Sequence, residues 1–250
     1  MAASSHQLRL YLRNLAGWAW NKQGHAFNHG NGLCLHEETL TEMILLRMAL
    51  DNKKHNVRVR MFNKHEERKN GADWEWFVKT AHCSHRLRVQ AKRLYHSSAH
   101  AGYGGLDLTK VQHSRLISQA RTKGLTPVYV FYNHKYGKGS AAFTDNPTSE
   151  FRGKSHWGCS IMHAKHVKQN VFSVLQSAMQ PWHELVGQNG SCGLNFQTQS
   201  AASKSAVVDE IPADPPSWLS DLGNPDALNK YLIENSLVGV AELDFTDFKG

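Results

Sequence analysis

The chain has 250 residues, 40% of them hydrophobic and 10% aromatic, with a formal net charge of +8. That length holds a proper core, and the composition excludes a disordered chain or a small stapled scaffold. The charge is uneven: residues 1–204 carry 27 lysines and arginines against 12 acids, whereas residues 205–250 carry 2 against 9, so a basic body suggests a polyanionic partner, most simply nucleic acid.

Leu8, Tyr11, Leu12 and Leu15 recur at helical spacing and predict a short helix over 6–20, followed by a Gly/Asn/His-rich loop over 21–34. Residues 35–52 are the clearest helix, with acids in the first turns and Leu40, Met43, Ile44, Leu46 and Met48 as its apolar face. VRVRMF (57–62) alternates as a strand, and 72–80 and 86–94 form two more strands around a short polar loop. Residues 108–124 read as a helix ended by Gly124, and 126–134 as a central strand. A long polar connection follows, then an expected helix over 159–179 and an expected linker over 187–217. From 218 the pattern suggests one or two short acidic helices. From 36 to 134 the order is helix, three strands, helix, strand, which makes the expected class α/β with a mixed sheet flanked by helices.

Strand residues two apart share a face. Asp73 and Glu75 therefore pair on one strand, as do Gln90 and Lys92 on the next, while Trp74 and Trp76 face the core. Hydrolysis of a phosphodiester needs a divalent ion, and carboxylate and carbonyl oxygens suit Mg²⁺, with Mn²⁺ as a substitute. Asp73 and the Gln90 carbonyl supply such oxygens, and Lys92 beside them is placed to orient water or stabilise the transition state. Arg58, Arg60, Arg88 and Arg93 add a basic stripe suited to holding phosphates without reading bases; the plain alternative is a solvated sheet face. Gln112 lies on the following helix, where it approaches the site or is ordinary helix polarity.

The histidine and cysteine groupings (His25 with His29, His82-Cys83-His85, and Cys159 with His163 and His166) lack finger spacing and predict no zinc site. The four cysteines form no CxxC pair, so no disulfide framework is expected and a reducing cytoplasm is the default. No segment is apolar and long enough to span a bilayer, and Arg9 and Arg13 interrupt the N-terminal apolar residues.

Asp73 followed by Gln90-x-Lys92, after a glutamate-bearing helix, resembles the PD-(D/E)XK (restriction-endonuclease-like) superfamily. The QxK form is similar to its Mrr-like branch. GADWEW, VQAKR, PVYVFYN and WGCS together resemble an uncharacterised bacterial family with restriction-endonuclease-like character. The resemblance implies an αβββαβ core over 36–135 within a nuclease domain over 36–185. Outside it lie an N-terminal piece (1–35), a linker (186–217) and an acidic C-terminal segment (218–250) forming a helical or irregular extension. It also implies Asp73, Gln90 and Glu42 as metal ligands, with Glu38 as the alternative helix acid, and Lys92 as the catalytic lysine. The chain departs from the pattern in having no proline before Asp73 and a neutral Gln90 where glutamate is usual. The implied function is Mg²⁺-dependent DNA cleavage in bacterial defence or restriction, with a homodimer expected of a cutter of both strands. A silent nucleic-acid-binding module of the same fold, or a partner-docking component, is the alternative.

Overall fold

The computed structural model describes residues 5–29, 35–51, 57–61, 72–80, 83–96, 101–108, 111–134, 151–168, 172–187, 192–194, 216–235 and 239–245. Most of the expected linker and most of the polar connection after 134 lie outside them. Helix α1 (Ser5–His29) is longer than the sequence pattern predicts. Leu8, Leu12, Leu15, Ala16 and Ala19 are buried along one stripe, and Gln23 continues it. The Gln23 amide donates to the Asn133 carbonyl oxygen at 3.1 Å, so a buried polar anchor carries the helix through a stretch whose Gly, Asn and His suggest a loop. Helix α2 (Glu37–Leu50) follows.

The strands are β1 (Val57–Met61), β2 (Trp74–Thr80), β3 (Cys83–His96), β4 (Ala101–Tyr103) and, after helix α3 (Val111–Thr122), β5 (Thr126–Tyr132). Four strands rather than the expected three lie between α2 and α3, the short β4 being an addition paired with β3, and the mixed sheet flanked by helices matches the expected α/β class. Residues 154–157 form a short α4 (Lys154–Trp157). The expected helix over 159–179 is instead strand β6 (Cys159–His163), a 3₁₀ turn (Ala164–His166), and a short α5 (Phe172–Ala178). Cys159 through Met162 are all buried; a strand covered on both faces loses the alternation that marks strands in sequence. Strand β7 (Gln180–Pro181) runs into a 3₁₀ turn (Trp182–Leu185).

The C-terminal region departs most from expectation. A 3₁₀ segment (Ser217–Gly223) and α6 (Pro225–Asn235) lead into β8 (Gly239–Phe245). The sheet order is β1-β8-β2-β3-β5-β6-β7, with β4 on β3. Strand β8 lies antiparallel to β1 and parallel to β2, so the last strand in sequence separates the first two. Ala241 joins the core with α1 and α2, while Trp218, Leu228, Leu232 and Val240 join the core on the other face. The expected extension is thus part of the fold, and so is the N-terminal helix.

Packing of α1 on the strand-β6 approach is close. A Cβ added at Gly158 would lie 1.9 Å from the Ala16 carbonyl oxygen, so only glycine fits there. Asn133, fully buried, ties this corner together. Its amide donates to the Trp157 carbonyl and Ser160 Oγ, and its Oδ1 accepts from Tyr103. Cys192 is disulfide-bonded, which corrects the expectation of thiols only; its partner is not among the described side chains. Among the described residues, no helix is long and apolar enough to cross a membrane.

Candidate functional site

Strand β3 outruns β2. Trp74 pairs with Val89, so from Gln90 onward β3 has no β2 partner, and continues instead beside β5 with Gln90 opposite Tyr129. Asp73 sits at this opening, one residue before β2. Its backbone N–H still reaches the Val89 carbonyl at 2.7 Å, while its carboxylate turns to accept the Ala91 N–H at 2.6 Å. The Gln90 amide donates to both Asp73 oxygens at 3.0 and 2.9 Å. Gln112 of α3 donates to the Gln90 carbonyl at 2.8 Å.

Lys92 lies farther along the same face of β3, 3% exposed, and its Nζ is 3.1 Å from Glu37 Oε1. Beside it the chain turns through Gly105, whose φ of +66° is the left-handed region; a Cβ there would sit 3.7 Å from Nζ. Asp73, Gln90, Lys92 and Gln112 are therefore gathered at one place.

The helix acid at this place is Glu37, which corrects the preference for Glu42 and for Glu38. Leu40, Thr41, Ile44, Leu45 and Met48 form the inward face of α2. Glu37 lies four residues before Thr41 and seven before Ile44, on that same face, whereas Glu42 is rotated by about 140° from Glu37 and Glu38 by about 100°. Among the described residues neither Glu38 nor Glu42 makes a hydrogen bond or ion pair. The inward period of the helix was the signal that selects residue 37.

Glu75 and Arg88 do not join the site. They form a fully buried ion pair at 2.8 Å. The second Glu75 oxygen accepts from Trp218 Nε1 at 2.9 Å and Tyr231 Oη at 2.7 Å. Desolvation lowers the Arg88 pKa, and the Glu75 charge opposes the shift. Arg88 cannot touch a phosphate from there, which corrects its assignment to nucleic-acid binding. Glu75, a secondary candidate, holds the C-terminal region instead. Arg93 is on the face opposite Lys92, with its guanidinium 5.0 Å from the Tyr95 ring centre. The side chains of Arg58 and Arg60 lie outside the described residues; their backbones pair with Glu242 and Val240.

Two features went unread in the sequence. Tyr129 is buried opposite Gln90, its hydroxyl 3.1 Å from His113 Nδ1, with the two rings stacked at 8°. Burial raises the Tyr129 pKa, and the Asp73 charge raises it further. On the α1 side of the sheet, His156 Nδ1 meets His183 Nε2 at 2.8 Å, and His183 Nδ1 lies 3.0 Å from Glu184, which Arg9 also engages. No sequence period marks either arrangement, because each joins distant elements.

Among the described residues, no three His, Cys, Asp or Glu side chains group as metal ligands. Asp73 and Glu37 offer carboxylate oxygens and Gln90 an amide oxygen, a hard-oxygen set of the kind Mg²⁺ takes, without the Cys and His donors characteristic of zinc.

The molecule is thus an α/β protein whose split β-hairpin gathers acid, amide and ammonium groups. Its sequence from residue 8 to residue 245 matches the model of a family of unknown function, DUF6615, and the chain belongs to that family. No curated protein and no solved structure matches it.

Proposed function

We propose that this protein is a metal-dependent nuclease that hydrolyses phosphodiester bonds, with DNA as substrate and Mg²⁺ or Mn²⁺ as cofactor. The observation that carries this reading is the meeting of Asp73, Gln90, Lys92 and Glu37 where β3 outruns β2. Asp73, Glu37 and the Gln90 carbonyl would hold the ion. When bound, the ion would offset the negative charge that grows on the phosphoryl oxygens.

The chain's own groups have defined tasks. Lys92, almost fully buried, donates to the attacking water or to a phosphoryl oxygen, where desolvation strengthens its field. Gln90 now turns its NH₂ to Asp73. Offering its carbonyl to a cation requires the amide to rotate, and Gln112 suits this change. An amide both donates and accepts, so Gln112 can bond either end of Gln90. A homodimer would provide one site for each strand of a duplex.

One observation favours a second reading, a silent nucleic-acid-binding module. Asp73 is satisfied by Gln90 and Ala91, and Lys92 by Glu37, so the charged groups of the site already have protein partners. Purified protein incubated with DNA and Mg²⁺ or Mn²⁺ separates the two. Cleavage lost in both Asp73→Ala and Lys92→Ala supports the nuclease. Salt-sensitive binding with no cleavage by the unaltered protein supports the module.

A further inference from the structure

We infer that the turn after β6, together with His113, is an anchor for the phosphate backbone of the substrate strand beside the cleavage site. This inference rests on the nucleic-acid reading proposed above. Four neighbouring strands, β2, β3, β5 and β6, lead from Asp73 to this turn. Adjacent strands lie about 4.8 Å apart, so the turn is displaced from Asp73 by roughly 14 Å across the sheet. A duplex strand carries one phosphate per 3.4 Å of axis, so that span corresponds to roughly four phosphates.

The row is built at every step. Gln90 pairs with Tyr129, and Tyr129 pairs with Met162, one residue before the strand's last, His163. His113 follows Gln112, which touches Gln90, and is held against Tyr129 by its Nδ1 contact and ring stacking. Its Nε2 makes no hydrogen bond among the described residues. The turn itself is fixed by the Lys165 N–H donating to His163 Nδ1 at 3.1 Å, and by the His163 and His166 rings packed 5.4 Å apart.

The charged residues of the turn are both basic. Lys165 and Lys168 are exposed, and neither forms an ion pair among the described residues. The Lys168 charge lowers the His113 pKa, second to desolvation, which places that ammonium near the imidazole. Two exposed lysines with an imidazole, in line with a carboxylate–ammonium site, suit successive phosphates rather than a single small anion.

The test uses the full chain carrying Lys92→Ala, so that binding is read without turnover. Affinity for a labelled DNA duplex is measured over a salt series, with and without Lys165→Ala/Lys168→Ala. Exposed Lys230→Ala on α6 is the control. The double variant is expected to raise Kd by about 5-fold or more, and to reduce the slope of log K against log salt by about 1.8, two contacts at about 0.9 each. The control should match its parent.

Unchanged affinity and slope in the double variant, while DNA is still bound, overturn the anchor and leave the nuclease standing. Loss of binding in the double variant, with no metal-dependent cleavage by the unaltered protein, supports the anchor and sinks the nuclease. DNA neither bound nor cut overturns both.

Discussion

The β2–β3 hairpin carries two polar crossings that begin alike and end differently. At one, Glu75 faces Arg88; at the other, Asp73 faces Gln90. The first is sealed. Trp218 and Tyr231 both donate to the other Glu75 oxygen, Lys123 lies 4.9 Å from the Tyr231 ring centre, and neither member of the ion pair is open to water. The second lies where β3 has lost its β2 neighbour, and both Asp73 and Glu37 keep partial exposure. A carboxylate sealed from water among three buried donors is committed to structure, whereas a half-buried one at a gap between strands remains available to a ligand.

The largest effect expected from this difference is on stability. Arg88→Met leaves the Glu75 charge buried with only two neutral donors, and should cost about 3–5 kcal/mol. Gln90→Met removes hydrogen bonds that water can replace at the opening, and should cost about 1 kcal/mol. Urea unfolding of both variants measures the gap; equal losses would break the comparison. Trp218→Phe keeps the ring and removes one donor to Glu75, for an expected cost of about 1–3 kcal/mol. That loss, read from the shift in Tm, sharpens the claim that Glu75 fastens the C-terminal region to the sheet.

Much of this contrast could not be read from the chain. Alternation in VRVRMF and around GADWEW gave β1 and β2, and the Trp74/Trp76 core face followed from the same period. The period also put Gln90 and Lys92 on one face, correctly, and Arg88 lies on that same face. It did not say that α6 covers one end of that face and leaves the other accessible, so Arg88 was taken for a phosphate contact. Strand β8 was hidden because VAELDF sits in an acidic tail, where Glu242 resembles a solvated residue; burial of Glu242 depends on insertion between β1 and β2. Glu37 was legible, because the Leu40–Ile44–Met48 stripe extrapolates back to it.

The choice of helix acid gives the next largest effect. On the proposed nuclease reading, Glu37→Gln removes the charge beside Lys92 and should lower cleavage by about 10–100-fold, on the order of 1.4–2.7 kcal/mol in the barrier. Glu42→Gln, on a different face of α2, should leave the rate within about 2-fold. Rates measured under saturating Mg²⁺ decide it. A loss with Glu42→Gln and none with Glu37→Gln would mean that α2 turns a different face to the reacting site.

The smallest effect concerns the polar chain on the opposite side of the sheet, which is partly buried and contains two imidazoles. Desolvation, aided by Arg13, His183 and Arg9, lowers the His156 pKa to about 4 from its ordinary 6.5, with Glu184 opposing. Desolvation also lowers that of His183, where Glu184 opposes and Arg9 and Arg13 assist. Below pH 6.5 the unfolded chain binds protons that these folded imidazoles refuse, so folding stability is full above that pH and declines as the pH falls towards about 4. His156→Gln keeps a hydrogen-bonding partner for His183 and removes one of the two titrations. The drop in urea midpoint between pH 7 and pH 5 should therefore be smaller in the variant than in the parent. Equal drops would place the acid sensitivity elsewhere, and would mean that the joint between α1 and α4 is indifferent to the charge of His156.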